Sequence, residues 1–200
     1  FLTASLVVAI ASFITFTCTI ALSIQKVDEP NQEITSVSCF ETSTATILQA
    51  PTCGLGFLNL GTGKLKTESS TVTSLNVLLS NRFSAAAQVA QSEGVHLYVT
   101  SGYRSPSRQL SIYKKEIAIR GSETEAAKWV LPPKNSHHPD GLAIDVNYPG
   151  DRVGAKWLEV NGDRFGLCRV YANEWWHFEG VIAPGGNCPK MAPNALIDLR

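Results

Sequence analysis

Two hundred residues allow one domain of ordinary size plus appendages. Lysine plus arginine equals aspartate plus glutamate, 17 each, so the net charge is zero and the basic excess that a nucleic-acid partner requires is excluded. Hydrophobic residues make up 44% of the chain and leave room for a sizeable core.

Residues 1–25 carry no charged side chain. An apolar run of this length reads as a transmembrane anchor, which takes about 20 residues, with a cleaved signal segment as the alternative. Either reading places everything from Lys26 onward outside the cytoplasm. Cysteine usage agrees. Cys18 lies in the apolar run, and Cys39, Cys53, Cys168 and Cys188 form an even set, as a disulfide framework would. Sequence alone permits three connectivities; Cys39–Cys53 and Cys168–Cys188 close the shortest loops and are the expected pairs. Residues 26–71, rich in Thr, Ser, Gln, Pro and Gly, read as an extracytoplasmic linker, an extended stalk with little order. Its Gly54-Leu55-Gly56 and Gly61-Thr62-Gly63-Lys64 match no nucleotide fingerprint.

Helical spacing over 75–93 (Leu75, Leu78, Leu79, Phe83, Ala86, Ala90) stops at Gly94. Residues 95–100 alternate as a strand. Pro106 opens a helix that runs to Arg120 before Gly121. Ser122 caps a short helix reaching Val130, with Glu125 completing a capping box. Strands are expected at 142–148, 167–171 and 176–182, and a short helix at 155–160. Adjacent short strands and segregated helices predict an α+β fold with a small, mostly antiparallel sheet.

Four histidines are available: His96, His137, His138 and His177. His96 sits mid-strand and reads as structural. Pro139-Asp140-Gly141 is turn chemistry between His138 and the strand bearing Asp145. The turn folds the imidazole toward the carboxylate, which supplies two ligands of a zinc site and asks for a third. Neighbours on an extended segment point to opposite sides, so His138 faces the site and His137 faces away. On a helix Glu174 and His177 would share a face and on a regular strand they would not; with Glu174 in a turn and His177 in the strand after it, both face one cavity.

Taken together, Ser101-Gly102-Tyr103-Arg104-Ser105, Ser136-x-His138-x-x-Gly141-x-Ala143-x-Asp145 and Glu174-Trp175-Trp176-His177 resemble the VanY-type D-alanyl-D-alanine carboxypeptidases. These are zinc peptidases of the bacterial cell wall, related to the VanX dipeptidases and sharing the hedgehog-domain fold. The resemblance spans about residues 72–182, with Gln109 and Tyr113 in the intervening helix, and marks 72–188 as the peptidase domain and 189–200 as a tail. It implies one Zn2+ held by His138, Asp145 and His177, with Glu174 as general base and Arg104 as oxyanion partner. Ser136 and Gln109 would line the substrate site. The implied substrate is a peptidoglycan stem peptide ending in D-Ala-D-Ala, met at the outer face of the cell membrane.

Rival chemistries fare less well. Ser111-Ile112-Tyr113-Lys114 fits Ser-x-x-Lys, but no Lys-Thr-Gly follows it, as a penicillin-binding-type peptidase would require. Cys168 in an exported chain is expected in a disulfide rather than as a nucleophile. An L,D-endopeptidase, a free D-Ala-D-Ala dipeptidase and a non-catalytic wall-binding module remain as alternatives.

Overall fold

The computed structural model describes residues 37–50, 52–55, 57–60 and 74–199. The expected membrane segment lies outside them. Among the described residues, no helix is long and apolar enough to cross a membrane.

The functional half is built on a four-stranded antiparallel sheet. Its strands are β4 (Val99–Ser101), β5 (Ala143–Val146), β6 (Cys168–Arg169) and β7 (His177–Glu179), ordered β4-β5-β7-β6. All four residues of the central β5 are buried. Such a strand reads as a continuous apolar run, which makes the carboxylate of Asp145 within it conspicuous. The register aligns Ser101 with Asp145 and Asp145 with His177 across three neighbouring strands.

Helix α1 (Val77–Ser92) begins where the Asn76 side chain accepts the Leu78 N–H, and it buries Leu79, Phe83, Ala86 and Ala90 along one face. Those residues pack with Ile144, Val146 and Phe178 of the sheet. Each fully buried Ile or Phe there contributes on the order of 2 kcal/mol. Helix α2 (Pro106–Arg120) has the predicted bounds: Ser105 caps it, Pro106 opens it, and Gly121 closes it in the left-handed conformation. Helix α3 (Glu123–Ala127) is shorter than expected. Ser122 accepts the Glu125 N–H, but the Glu125 carboxylate pairs with Lys128. Helix α4 (Arg152–Asn161) is longer than expected because Asp151 caps it three residues earlier.

Residues 95–98 were expected to be strand and are not. The buried Asn147 side chain takes the place of ladder partners there, accepting from Tyr98 N and donating to His96 O. The stretch expected as a stalk is also structured in part. Strands β1 (Val37–Glu41), β2 (Thr46–Ala50) and β3 (Phe57–Asn59) form an antiparallel sheet in the order β2-β1-β3. The Cys39–Cys53 disulfide crosslinks this region, and Phe40, fully buried, joins the core beside Phe165. A polar composition hid a strand whose inward residues bury well. Cys168–Cys188 is the second predicted pair. Beyond it the tail packs too: Ala192 bridges Tyr171, Ala195 is buried, and Asp198 accepts from the Tyr171 hydroxyl.

Candidate active site

His138 is delivered by a tight turn. The Gly141 N–H donates to His138 O (3.1 Å) and the Leu142 N–H to His137 O (3.0 Å). Gly141 has φ +68°, and a Cβ there would sit 2.9 Å from both Asn76 N and Ser74 O, so only glycine lets the turn close against the start of α1. The ring of His138 donates through Nδ1 to the Gly102 carbonyl (2.8 Å). Nε2 therefore carries the lone pair, and it lies 3.4 Å from Asp145 Oδ1.

His177 reaches the same point from β7. Its Nε2 is held by Glu179 Oε1 at 2.9 Å, which turns Nδ1 to within 3.1 Å of Asp145 Oδ1. The ring stacks on Tyr171 (centroids 5.2 Å, 27°). One ligand atom each from His138, Asp145 and His177 lie within 4.8 Å of one another, all buried. Glu174 faces this cluster because it opens a turn closed by the His177 N–H donating to Glu174 O (3.3 Å). Both side chains then line one cleft of about 510 Å³, as do Arg104, Gln109 and Ser136.

Arg104 is held by four groups. Nε donates to Ser101 Oγ (2.7 Å), Nη1 to Gln109 Oε1 (3.0 Å) and Nη2 to Asp145 Oδ2, with Nη2 also 2.9 Å from His138 Nε2. Gln109, almost wholly buried, spends its other end on the Leu131 carbonyl (2.7 Å). Ser136 Oγ accepts from the His138 N–H at 3.4 Å.

These groups are electrostatically unequal. Burial, reinforced by the charge of Asp145, pushes Glu174 up to about 7 against the pull of His177 and Arg104. Burial also lowers His138, favouring the neutral imidazole that a metal ligand must be. Burial opposes ionisation of Asp145, yet His138, His177 and Arg104 together hold it well below the usual carboxylate range. Glu179 behaves likewise. Burial raises it, but hydrogen bonds from His137 and His177 bring it down to about 2.

The Glu179 contribution has a sign. A carboxyl depressed in the fold stabilises fully above its ordinary value of 4.5, and that stability is lost as pH falls toward about 2. Acid titration of the metal-free protein, followed by circular dichroism, is expected to show a loss of stability through this window. Glu179→Gln should be less stable at neutral pH and show a shallower loss; an unchanged acid profile would remove Glu179 from the network.

His137 does not face away. Its Nδ1 lies 2.8 Å from Glu179 Oε2, so His137, Glu179 and His177 form one chain. Glu179 escaped the sequence reading, although a signal was present: on a strand, residues two apart share a face, and Glu179 follows His177 by two. Tyr171 carried no comparable signal, since its contact with His177 joins separate segments.

A family model described as "VanY: D-alanyl-D-alanine carboxypeptidase" matches residues 73–182. A D-alanyl-D-alanine carboxypeptidase of Enterococcus faecalis is 33% identical over 46% of this chain and 42% of its own length, so the chain spans less than half of that relative. Two solved structures share the fold. One is a mutant of the vancomycin-resistance D,D-pentapeptidase VanY from a VanB-type resistance cassette, in complex with Zn(II): TM-score 0.51, 26% identity, 60% of this chain and 82% of that one. The other is VanYB in complex with D-alanine-D-alanine: TM-score 0.50, 27% identity, 55% and 72%.

Proposed function

The chain belongs to the VanY family of D-alanyl-D-alanine carboxypeptidases, and from that premise we propose that residues 72–188 form a zinc-dependent D,D-carboxypeptidase removing the terminal D-alanine of peptidoglycan stem peptides. The observation that carries this reading is the convergence of His138, Asp145 and His177 in the cleft that also holds Glu174 and Arg104.

The donor set suits the metal. Two imidazoles and one carboxylate are a catalytic zinc set, which leaves a coordination position open. His138 Nε2 and the second oxygen of Asp145, Oδ2, already face a cation, the Arg104 guanidinium. Holding an ion there asks Arg104 to release His138 Nε2 while keeping Ser101 and Gln109. Zn2+ in such a site supplies Lewis acidity and brings the pKa of water to about 7.

Every other role falls to side chains of this protein. Glu179 fixes the His177 ring so that Nδ1 faces the site, the orienting job of a carboxylate behind a ligand histidine. Glu174, a buried carboxylate whose proton affinity is raised to about 7, takes the proton of the attacking water and returns it to the amine of the departing D-alanine. Arg104 donates to the carbonyl oxygen as negative charge develops on it. Gln109 holds that guanidinium in place, and Ser136 presents its hydroxyl to the substrate backbone. The two disulfides support a location outside the cytoplasm, with residues 1–25 as anchor or cleaved signal.

The test is to incubate the zinc-loaded protein with an N-acylated pentapeptide stem, free D-Ala-D-Ala and intact muropeptides, and to identify products by mass. Loss of one D-alanine from the pentapeptide is expected. Hydrolysis of the free dipeptide alone would make it a dipeptidase, and cleavage within the stem an endopeptidase. No turnover of any substrate would leave a wall-binding module.

A further inference from the structure

The cleft continues well past the reacting groups, along one face of α2. Gln109, Ile112, Glu116 and Arg120 recur at helical spacing and all line it. Gln109 touches Arg104, so it marks the catalytic end. At a rise of 1.5 Å per residue, Glu116 lies about 10 Å and Arg120 about 16 Å further along the helix axis.

The far end is a built polar site. Arg120 Nε donates to Glu116 Oε1 at 2.7 Å, and the Glu116 side chain is only 16% exposed. The indole of Trp129 lies under the guanidinium, 4.6 Å from Cζ to the ring centroid, and fixes its plane. Among the described residues, Glu116 Oε2 and both Nη atoms of Arg120 have no hydrogen-bond partner. The pair thus presents one carboxylate oxygen beside the open edge of a planar fork. An ammonium suits the first, and a carboxylate, gripped through two parallel N–H bonds, suits the second.

The distance selects which part of a stem peptide arrives there. With the terminal bond at Arg104, the third residue begins one peptide unit away, its Cα about 5 Å from the scissile carbonyl, and a long side chain adds about 5 Å; that reaches the level of Glu116, where the Arg120 head group also lies. We infer that Glu116, Arg120 and Trp129 form a subsite for the third residue of the stem, one whose side chain ends in both an ammonium and a carboxylate. This rests on the carboxypeptidase reading above. A plain surface ion pair at i, i+4 would need neither Trp129 nor a place in the cleft.

Two N-acetylated pentapeptide stems ending in D-Ala-D-Ala test it, identical except that the third residue is meso-diaminopimelate in one and L-lysine, which lacks the second carboxylate, in the other. The zinc-loaded full chain is expected to favour the diaminopimelate stem by about tenfold in kcat/KM. Arg120→Ala should bring the two stems to within about twofold, and Arg120→Lys, which keeps charge without the fork, should recover only part of the preference. Equal rates on both stems with the native chain, or a preference that survives in Arg120→Ala, would overturn the inference. If Arg120→Ala does not fold, Arg120→Lys carries the same comparison. Calorimetric binding of both stems to the Glu174→Ala variant separates the two levels. Discrimination in binding without turnover by the native chain sustains the subsite and removes the carboxypeptidase reading. Turnover without discrimination does the reverse, and neither binding nor turnover removes both.

Discussion

Glu174→Ala is expected to keep a full complement of zinc and to lose hydrolysis by about a hundred- to ten-thousand-fold in kcat, the range general acid–base catalysis supplies. The separation of the two effects follows from position. Glu174 lines the cleft but is not among the three groups whose ligand atoms converge. Its carboxyl is buried and shifted up to about 7, so it gains and releases a proton with little penalty near neutral pH. Removing it takes away the proposed proton acceptor and leaves His138, Asp145 and His177 where they are. Zinc content by elemental analysis and D-alanine release, measured on one preparation, decide the matter. Full activity in the variant would sink the mechanism, and loss of zinc would make Glu174 a ligand instead.

His138→Ala should lose metal and activity together, with zinc affinity falling by more than about a hundredfold. The imidazole is locked from both sides: Nδ1 by the Gly102 carbonyl and the backbone by the turn that Gly141 permits. No neighbour can substitute for it. His137, next in sequence, is committed to Glu179 and has a side chain that is 45% exposed. His137→Ala should therefore retain stoichiometric zinc after dialysis, while His138→Ala should not. Equal retention in the two variants would show that the wrong histidine has been placed at the metal.

The two experiments also test different parts of the fold. Glu174 depends on a local turn, four residues long. His138 depends on α1, β4 and β5 together, because the turn that carries it closes against Asn76 and Ser74 and its ring is held from Gly102. Glu179 joins the two, since it orients His177 and binds His137 at once.

Much of this was legible in the chain itself. The bounds of α2 were written in Ser105, Pro106 and Gly121, because caps and helix openers act on their own neighbours. That a turn lies between His138 and Asp145 was equally legible from Pro-Asp-Gly, whereas its closure against Asn76 and Ser74 was not. Both disulfides are the shortest-loop pairs, preferred among three connectivities that the sequence left open. Residues 37–60 were misjudged because their composition is polar. Only the packing of Phe40 against Phe165, 125 positions along the chain, makes β1 worth forming.

Sequence by itself singled out the residues that meet in the cleft: the imidazoles, the carboxylates and the guanidinium stand in motifs short enough to be read by eye. Tertiary structure alone decided how they are aimed. Strand register set Asp145 beside His177, and Glu179 chose which nitrogen of His177 faces inward. A helix face extended the cleft from Gln109 to Arg120. Local chemistry names the groups, but direction and distance belong to contacts between segments far apart in the chain, and no short motif records those.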